Sequence, residues 1–280
     1  MLLSNTLTLA LLPLTSAAET ILGLYIYSRH GDRTSKSTPP TILTPLGYSE
    51  IFASGTWFRN HYIANGSTSQ IHGIADSVVK QSQITASAPL DSSLFPSALG
   101  FLQGLYPPVG PTLGKQTLRN GTKVEVPLNG YQLIPVATVG SGTVNEDSAW
   151  LQGSGNCANA IISSNNYFKS AEYKSLKDGT MSFYQSLQPA INSTFSANQS
   201  SFQNAYSSES SARAKVLLGS FGLMSTVFDY LNVAEIHNTT IPSSDLVTND
   251  TLFQLRTLAD NHEFNLAYKY VPLLINFLAQ

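Results

Sequence analysis

Residues 21–28, ILGLYIYS, form an apolar run that ends on Arg29-His30-Gly31-Asp32-Arg33. Its β-branched and aromatic side chains predict a strand. After the basic loop, residues 43–62 predict a helix, with Thr44 as N-cap and Pro45 at the first helical position. A second unit of the same kind follows. Residues 82–89 predict a strand, and residues 92–108 a helix capped by Asp91 and ended by Tyr106-Pro107-Pro108. Strand, loop, helix, strand, helix is the order of an open α/β sheet. Such sheets bind ligands at the carboxyl ends of their strands, where this chain sets its basic loop.

From about 110 to 160 the chain is turn-rich, broken by Gly110, Gly114, Gly121, Gly130 and Gly140. Beyond 165 the pattern turns helical, with apolar residues at three- and four-residue spacing in 173–187 and 251–270. Residues 207–226 are small and featureless between two stretches that contain aromatic residues. No internal repeat or coiled coil is present.

The first 18 residues read as a secretory signal: an apolar stretch from Leu7 to Leu14, then Ser16-Ala17-Ala18 at the cleavage positions. The expected location is therefore secreted, outside the cell. No later segment approaches the ~20 apolar residues of a membrane span. Asn-x-Ser/Thr acceptors at Asn65, Asn120, Asn192, Asn198, Asn238 and Asn249 agree with a secreted glycoprotein. Cys157 is the single cysteine, and in a secreted chain a lone cysteine suggests a missing partner or a free thiol. Net charge is −2, so no global field recruits nucleic acid or an anionic membrane, and anion binding must be local.

The loop has that local character. Arg29 and Arg33 carry planar, permanently charged forks suited to phosphate oxygens. His30 between them can attack phosphorus as a neutral imidazole whose other nitrogen is held by a backbone acceptor. Gly31 admits close approach of backbone to ligand. The arginines supply the charge stabilisation that a metal ion gives elsewhere, so no metal and no cofactor are expected. Arg-His-Gly-x-Arg arises by chance in roughly one chain of this length per thousand. The competing reading is an exposed basic turn on a structural or adhesive glycoprotein.

The stretch resembles the Arg-His-Gly-x-Arg signature of the histidine acid phosphatases, a secreted branch of the histidine phosphatase superfamily. The segments LTPLGYSE, SALGFLQGLYPP, PLNGYQLIPV, WLQGSGNC and LADNHEFNLAYKY resemble successive landmarks of its secreted fungal members, in family order. The resemblance implies a phosphoglycerate-mutase-like three-layer α/β sheet with an inserted, mainly helical domain. It implies residues 19–110 as the first part of the phosphatase domain and 111–280 as the inserted loop-rich and helical part. The implied activity is hydrolysis of phosphate monoesters through a phosphohistidine, with a small-molecule phosphomonoester as substrate. His30 would be the nucleophile, and Arg29 and Arg33 the phosphate ligands.

The chain departs from the pattern in three places. Ser35 stands where the signature usually continues to Pro, and Ser93 stands where family members commonly have a further phosphate-binding Arg. Family members also continue well over a hundred residues past the length of this chain, adding further strands, a second catalytic His and an acidic donor. The expectation is therefore a C-terminally truncated member with the return to the sheet missing, and Cys157 fits that expectation. Within the chain, Glu263 beside His262 and Asp32 in the loop are the candidate proton donors, though 262–263 sit in a helical pattern. Asp91 reads as a helix cap. His61, His72 and His237 read as structural, without metal-ligand spacing. The alternative is a non-catalytic member that binds phosphate without turnover.

Overall fold

The computed structural model describes residues 19–38, 40–113, 115–139, 162, 166–191, 194 and 227–265, side chains at 112 and 262–264 excepted. Residues 1–18, Cys157 and residues 207–226 lie outside the described residues. The described chain is mixed α/β, with long helices and two small two-stranded sheets.

Helix α1 (Pro45–Tyr62) begins where the sequence places it, with the Thr44 side chain accepting from the Gly47 amide and Pro45 in the first turn. Helix α2 (Leu94–Leu105) is shorter than the expected 92–108 and is closed by Tyr106, whose amide donates to the Leu102 carbonyl. The two helices pack backbone to backbone. A Cβ built on Gly55 would lie 2.1 Å from the Phe101 carbonyl oxygen, and one on Gly104 would lie 2.1 Å from that of Phe52. Only glycine permits that approach, which draws Ile63, Leu102, Leu105 and Tyr106 into one buried cluster with Phe58 and Phe101 against it.

Strand β1 (Ser87–Pro89) pairs in parallel with β4 (Ala137–Val139), Ser87 opposite Ala137 and Pro89 opposite Val139. Between them lies an exposed antiparallel pair, β2 (Lys115–Thr117) with β3 (Lys123–Glu125). A left-handed turn through Leu128, Asn129 and Gly130 follows, with φ between 51° and 76°. Gln132 pins this return to the helical pair: its amide donates to the Ser77 and Pro107 carbonyls and accepts from the Val79 amide.

Two sequence expectations are corrected. Residues 21–28 form no strand, and Tyr25 is 85% and Tyr27 66% exposed. No described strand lies alongside them, and β structure needs a hydrogen-bonding neighbour that propensity cannot supply. Of residues 82–89, only 87–89 are strand, and Gln81–Gln83 form a short 3-10 turn.

The later helices build a second core. Helix α3 (Ala171–Ser186) is capped by the Ser170 side chain. Helices α4 (Val227–Ile236) and α5 (Asn249–Phe264) pack with it around Tyr167, Tyr173, Tyr184, Ile191, Val227, Leu231 and Leu255. The helical readings of 173–187 and of the first part of 251–270 match α3 and α5.

Replacing Gly104 by Ala drives a methyl group into the Phe52 carbonyl. The expected cost is about 2 kcal/mol, at the level of core overpacking. Urea unfolding of Gly104→Ala beside the wild type measures it, and an unchanged midpoint would show that the helices do not touch there.

Candidate functional site

The basic loop is bound on every side by short contacts. The Thr34 amide donates to the Ile42 carbonyl at 2.9 Å and the Thr44 amide to the Asp32 carbonyl at 3.0 Å, so the loop lies along the residues that lead into α1. Gly31 meets α1 at Gly47, where a Cβ on Gly31 would stand 2.2 Å from the Gly47 carbonyl oxygen. The Gly31 amide donates to Ser97 Oγ on α2 at 3.2 Å, and Ser97 Oγ in turn donates to the Ser93 carbonyl at 2.6 Å. Both helices therefore set the loop's backbone.

The three cationic positions end up in different environments. Arg29 is exposed and lines a groove of about 530 Å³. His30 is partly buried and lines the same groove, with Nδ1 2.7 Å from the Gly31 carbonyl oxygen. A carbonyl only accepts, so Nδ1 carries the proton and Nε2 keeps its lone pair. Burial lowers the His30 pKa from 6.5; the Gly31 bond opposes this, and the nearby charges of Arg29, Arg33 and Lys36 add to the lowering.

Arg33 is buried. One terminal nitrogen pairs with Asp229 Oδ1 at 2.8 Å and the other donates to the Thr34 carbonyl at 3.0 Å. Its Nε–H finds no acceptor among the described residues. The expectation that Arg33 offers its fork to phosphate thus meets a fork already taken up inside the protein. Asp229, on α4, also accepts from Ser35 Oγ at 2.8 Å and from the Lys36 amide at 2.9 Å through its other oxygen. Ser35, the departure from the family signature, is thereby a ligand of this carboxylate.

The carboxylates near the loop are engaged. Asp32 Oδ2 lies 2.7 Å from His237 Nε2, just past the end of α4, and also receives the Thr44 hydroxyl. The Asp32 amide donates to Glu50 at 2.9 Å. Asp91 accepts from the Ser93 and Leu94 amides and from the Ser93 hydroxyl, holding the start of α2 as its capping role predicts. Partial burial pushes the Asp91 carboxyl up, but these bonds and the His30 charge outweigh it and leave its pKa lowered. Ser93 is buried in this capping arrangement. Glu263 lies in the last turn of α5, and its side chain is outside the described residues.

Three contributors escape the sequence reading: Asp229, His237 as the partner of Asp32, and Ser97. Asp229 did leave a signal, being the one charged residue in the apolar run VFDYLNVA. His61, read as structural, stacks on Trp57 with ring centroids 3.9 Å apart. Among the described residues no three His, Cys, Asp or Glu side chains gather as a cation site, and no helix is long and apolar enough to cross a membrane. The chain matches no family model and no curated protein.

Removing the Asp229 carboxylate leaves the Arg33 charge buried and unpaired. Asp229→Ala should cost about 3–5 kcal/mol of unfolding free energy, well above an exposed aspartate elsewhere, read by chemical denaturation. His30 gives a second test. Its folded pKa lies below the unfolded value of 6.5, so the unfolded chain binds the proton more readily. The His30 contribution to stability is full above 6.5 and shrinks as pH falls toward the folded value. An NMR titration of the His30 ring should place its midpoint below 6.5, and a midpoint above that value would contradict the burial described here.

Proposed function

We propose that this chain is a histidine acid phosphatase-like protein of phosphoglycerate-mutase-like fold, acting on phosphate monoesters outside the cell after removal of its leader. The observation that carries the reading is the His30 bond to the Gly31 carbonyl, which leaves Nε2 unprotonated at the groove beside the exposed Arg29 guanidinium. A neutral imidazole is a nucleophile, and a burial-lowered pKa keeps it neutral at more acidic pH than an ordinary histidine.

In the proposed reaction Arg29 holds the phosphoryl oxygens with charge-assisted hydrogen bonds. The Nε2 lone pair of His30 forms a bond to phosphorus as the ester P–O bond breaks, and the leaving oxygen departs with the electron pair and takes its proton from solvent. Water then attacks the phosphohistidine, the N–P bond breaks, and phosphate departs with His30 restored. The Nδ1–H bond to Gly31 steadies the ring throughout.

A second reading is favoured by one specific observation: Asp32, Asp91 and Asp229 are all engaged, so none is free to protonate a leaving alcohol. A chain that binds phosphate at Arg29 and His30 without turnover fits that arrangement.

Exposure of the full 280-residue chain to radiolabelled p-nitrophenyl phosphate, followed by rapid quench, separates the two readings. The expected result is an acid-labile phosphoenzyme that His30→Ala lacks, with Arg29→Ala lowering kcat/KM about a hundredfold. Phosphate binding with no phosphoenzyme establishes the non-catalytic reading. Absence of both overturns the phosphate site.

A further inference from the structure

The exposed pair β2 and β3 closes through a turn built by its own residues. Thr117 and Lys123 are the last paired positions, and residues 118–122 connect them. The Gly121 amide donates to the Leu118 carbonyl at 2.9 Å, and the Leu118 amide to the Thr122 carbonyl at 2.8 Å. Gly121 has φ +83°, with open space where a side chain would stand. A tight turn followed by a left-handed glycine is a common hairpin closure, and an Asn-Gly pair suits it. At the tip the Asn120 side-chain oxygen accepts from the Thr122 amide at 3.0 Å, an Asx turn that fixes the side chain against its own backbone. Every residue from Lys115 to Glu125 is exposed.

We infer that Asn120 is the leading acceptor of an N-linked oligosaccharide among the described Asn-x-Ser/Thr sites, an inference that rests on the secretory reading of residues 1–18. In the transfer, Asn120 Nδ2 bonds to the anomeric carbon of an oligosaccharide carried on a lipid diphosphate. The bond from that carbon to the diphosphate oxygen breaks, the lipid diphosphate leaves with the electron pair, and Nδ2 gives up one proton. The reaction needs the asparagine amide and the hydroxyl two residues on within reach of the transferring enzyme. The hairpin presents Asn120 and Thr122 together at an exposed tip. The other described sites are held differently. The Ser67 hydroxyl, which belongs to the Asn65 site, donates to the His61 carbonyl at 2.8 Å. Asn249 opens α5, and its Thr251 hydroxyl donates to the Leu246 carbonyl at 3.0 Å. Asn238 follows His237, whose ring is tied to Asp32 from 205 positions away. Asn192 and Asn198 lie outside the described residues. Timing favours the hairpin as well. A chain emerges at about 5–20 residues per second, whereas a hairpin closes in roughly 1–10 μs, so the Asn120 turn can form before the later helices exist.

The test is expression of the full 280-residue chain in a eukaryotic secretory host, once with its own leader and once with residues 1–18 replaced by an unrelated leader. Glycopeptide mass spectrometry then reads occupancy at Asn65, Asn120, Asn238 and Asn249. The expected result is highest occupancy at Asn120, and loss of one glycan from the intact mass in Asn120→Gln. Gly121→Val keeps the acceptor pattern and meets no neighbour, but a β-branched residue resists the left-handed backbone. It should lower Asn120 occupancy about threefold. Asn120 left bare with the replaced leader, or less occupied than any of the other three, overturns the inference. Unchanged occupancy in Gly121→Val overturns it too, since the turn would then play no part. Glycan on Asn120 with the replaced leader but none with the native one leaves the acceptor standing and removes the secretory reading.

Discussion

One carboxylate, that of Asp229, holds the two halves of the described structure together. It takes the Arg33 guanidinium on one oxygen and the Ser35 hydroxyl and Lys36 amide on the other. A buried ion pair does not stabilise by attraction alone, because removing both charges from water costs several kcal/mol per ion. The remaining hydrogen bonds to the carboxylate, together with the Arg33 bond to the Thr34 carbonyl, offset that cost. The consequence is specificity of arrangement. The pair joins the loop before α1 to α4, whose apolar residues belong to the second core.

The His237–Asp32 pair joins the same loop to the end of α4. On its other side the loop rests on glycines: Gly31 against Gly47, with the Gly31 amide on Ser97. Held from both sides, the loop turns its inner residues, Asp32 and Arg33, toward α4 and leaves Arg29 and His30 at the groove. This division decides the chemistry. The buried arginine is committed to Asp229, and the exposed one lines the groove. Burial, with the positive charges around it, lowers the pKa of the imidazole between them.

The carboxylates follow the same logic. An acid that anchors a helix start or pairs with a histidine has its oxygens taken up in those bonds. Asp91 at the head of α2 and Asp32 against His237 serve the architecture of the loop. Among the described residues, these acids are structural members of the loop's frame.

Much of this was legible in the sequence where the determinants are local. Thr44 and Pro45 announce the start of α1, Asp91 the start of α2, and the apolar spacing of 173–187 announces α3, because caps and periodicity act within a turn or two. The basic loop was equally plain, since Arg29-His30-Gly31 carries its charged and ring groups in consecutive residues. What the residues alone did not decide was anything that needs a distant partner. Residues 21–28 have the composition of a strand and lack a described strand beside them. The Arg33 and Asp32 side chains are committed by Asp229 and His237, about two hundred positions away in the chain. Local propensity is a property of one segment, whereas a ladder, an ion pair or a burial-shifted pKa belongs to two. Sequence therefore determined which groups the loop carries, and only the tertiary structure decided which of them remain free to act.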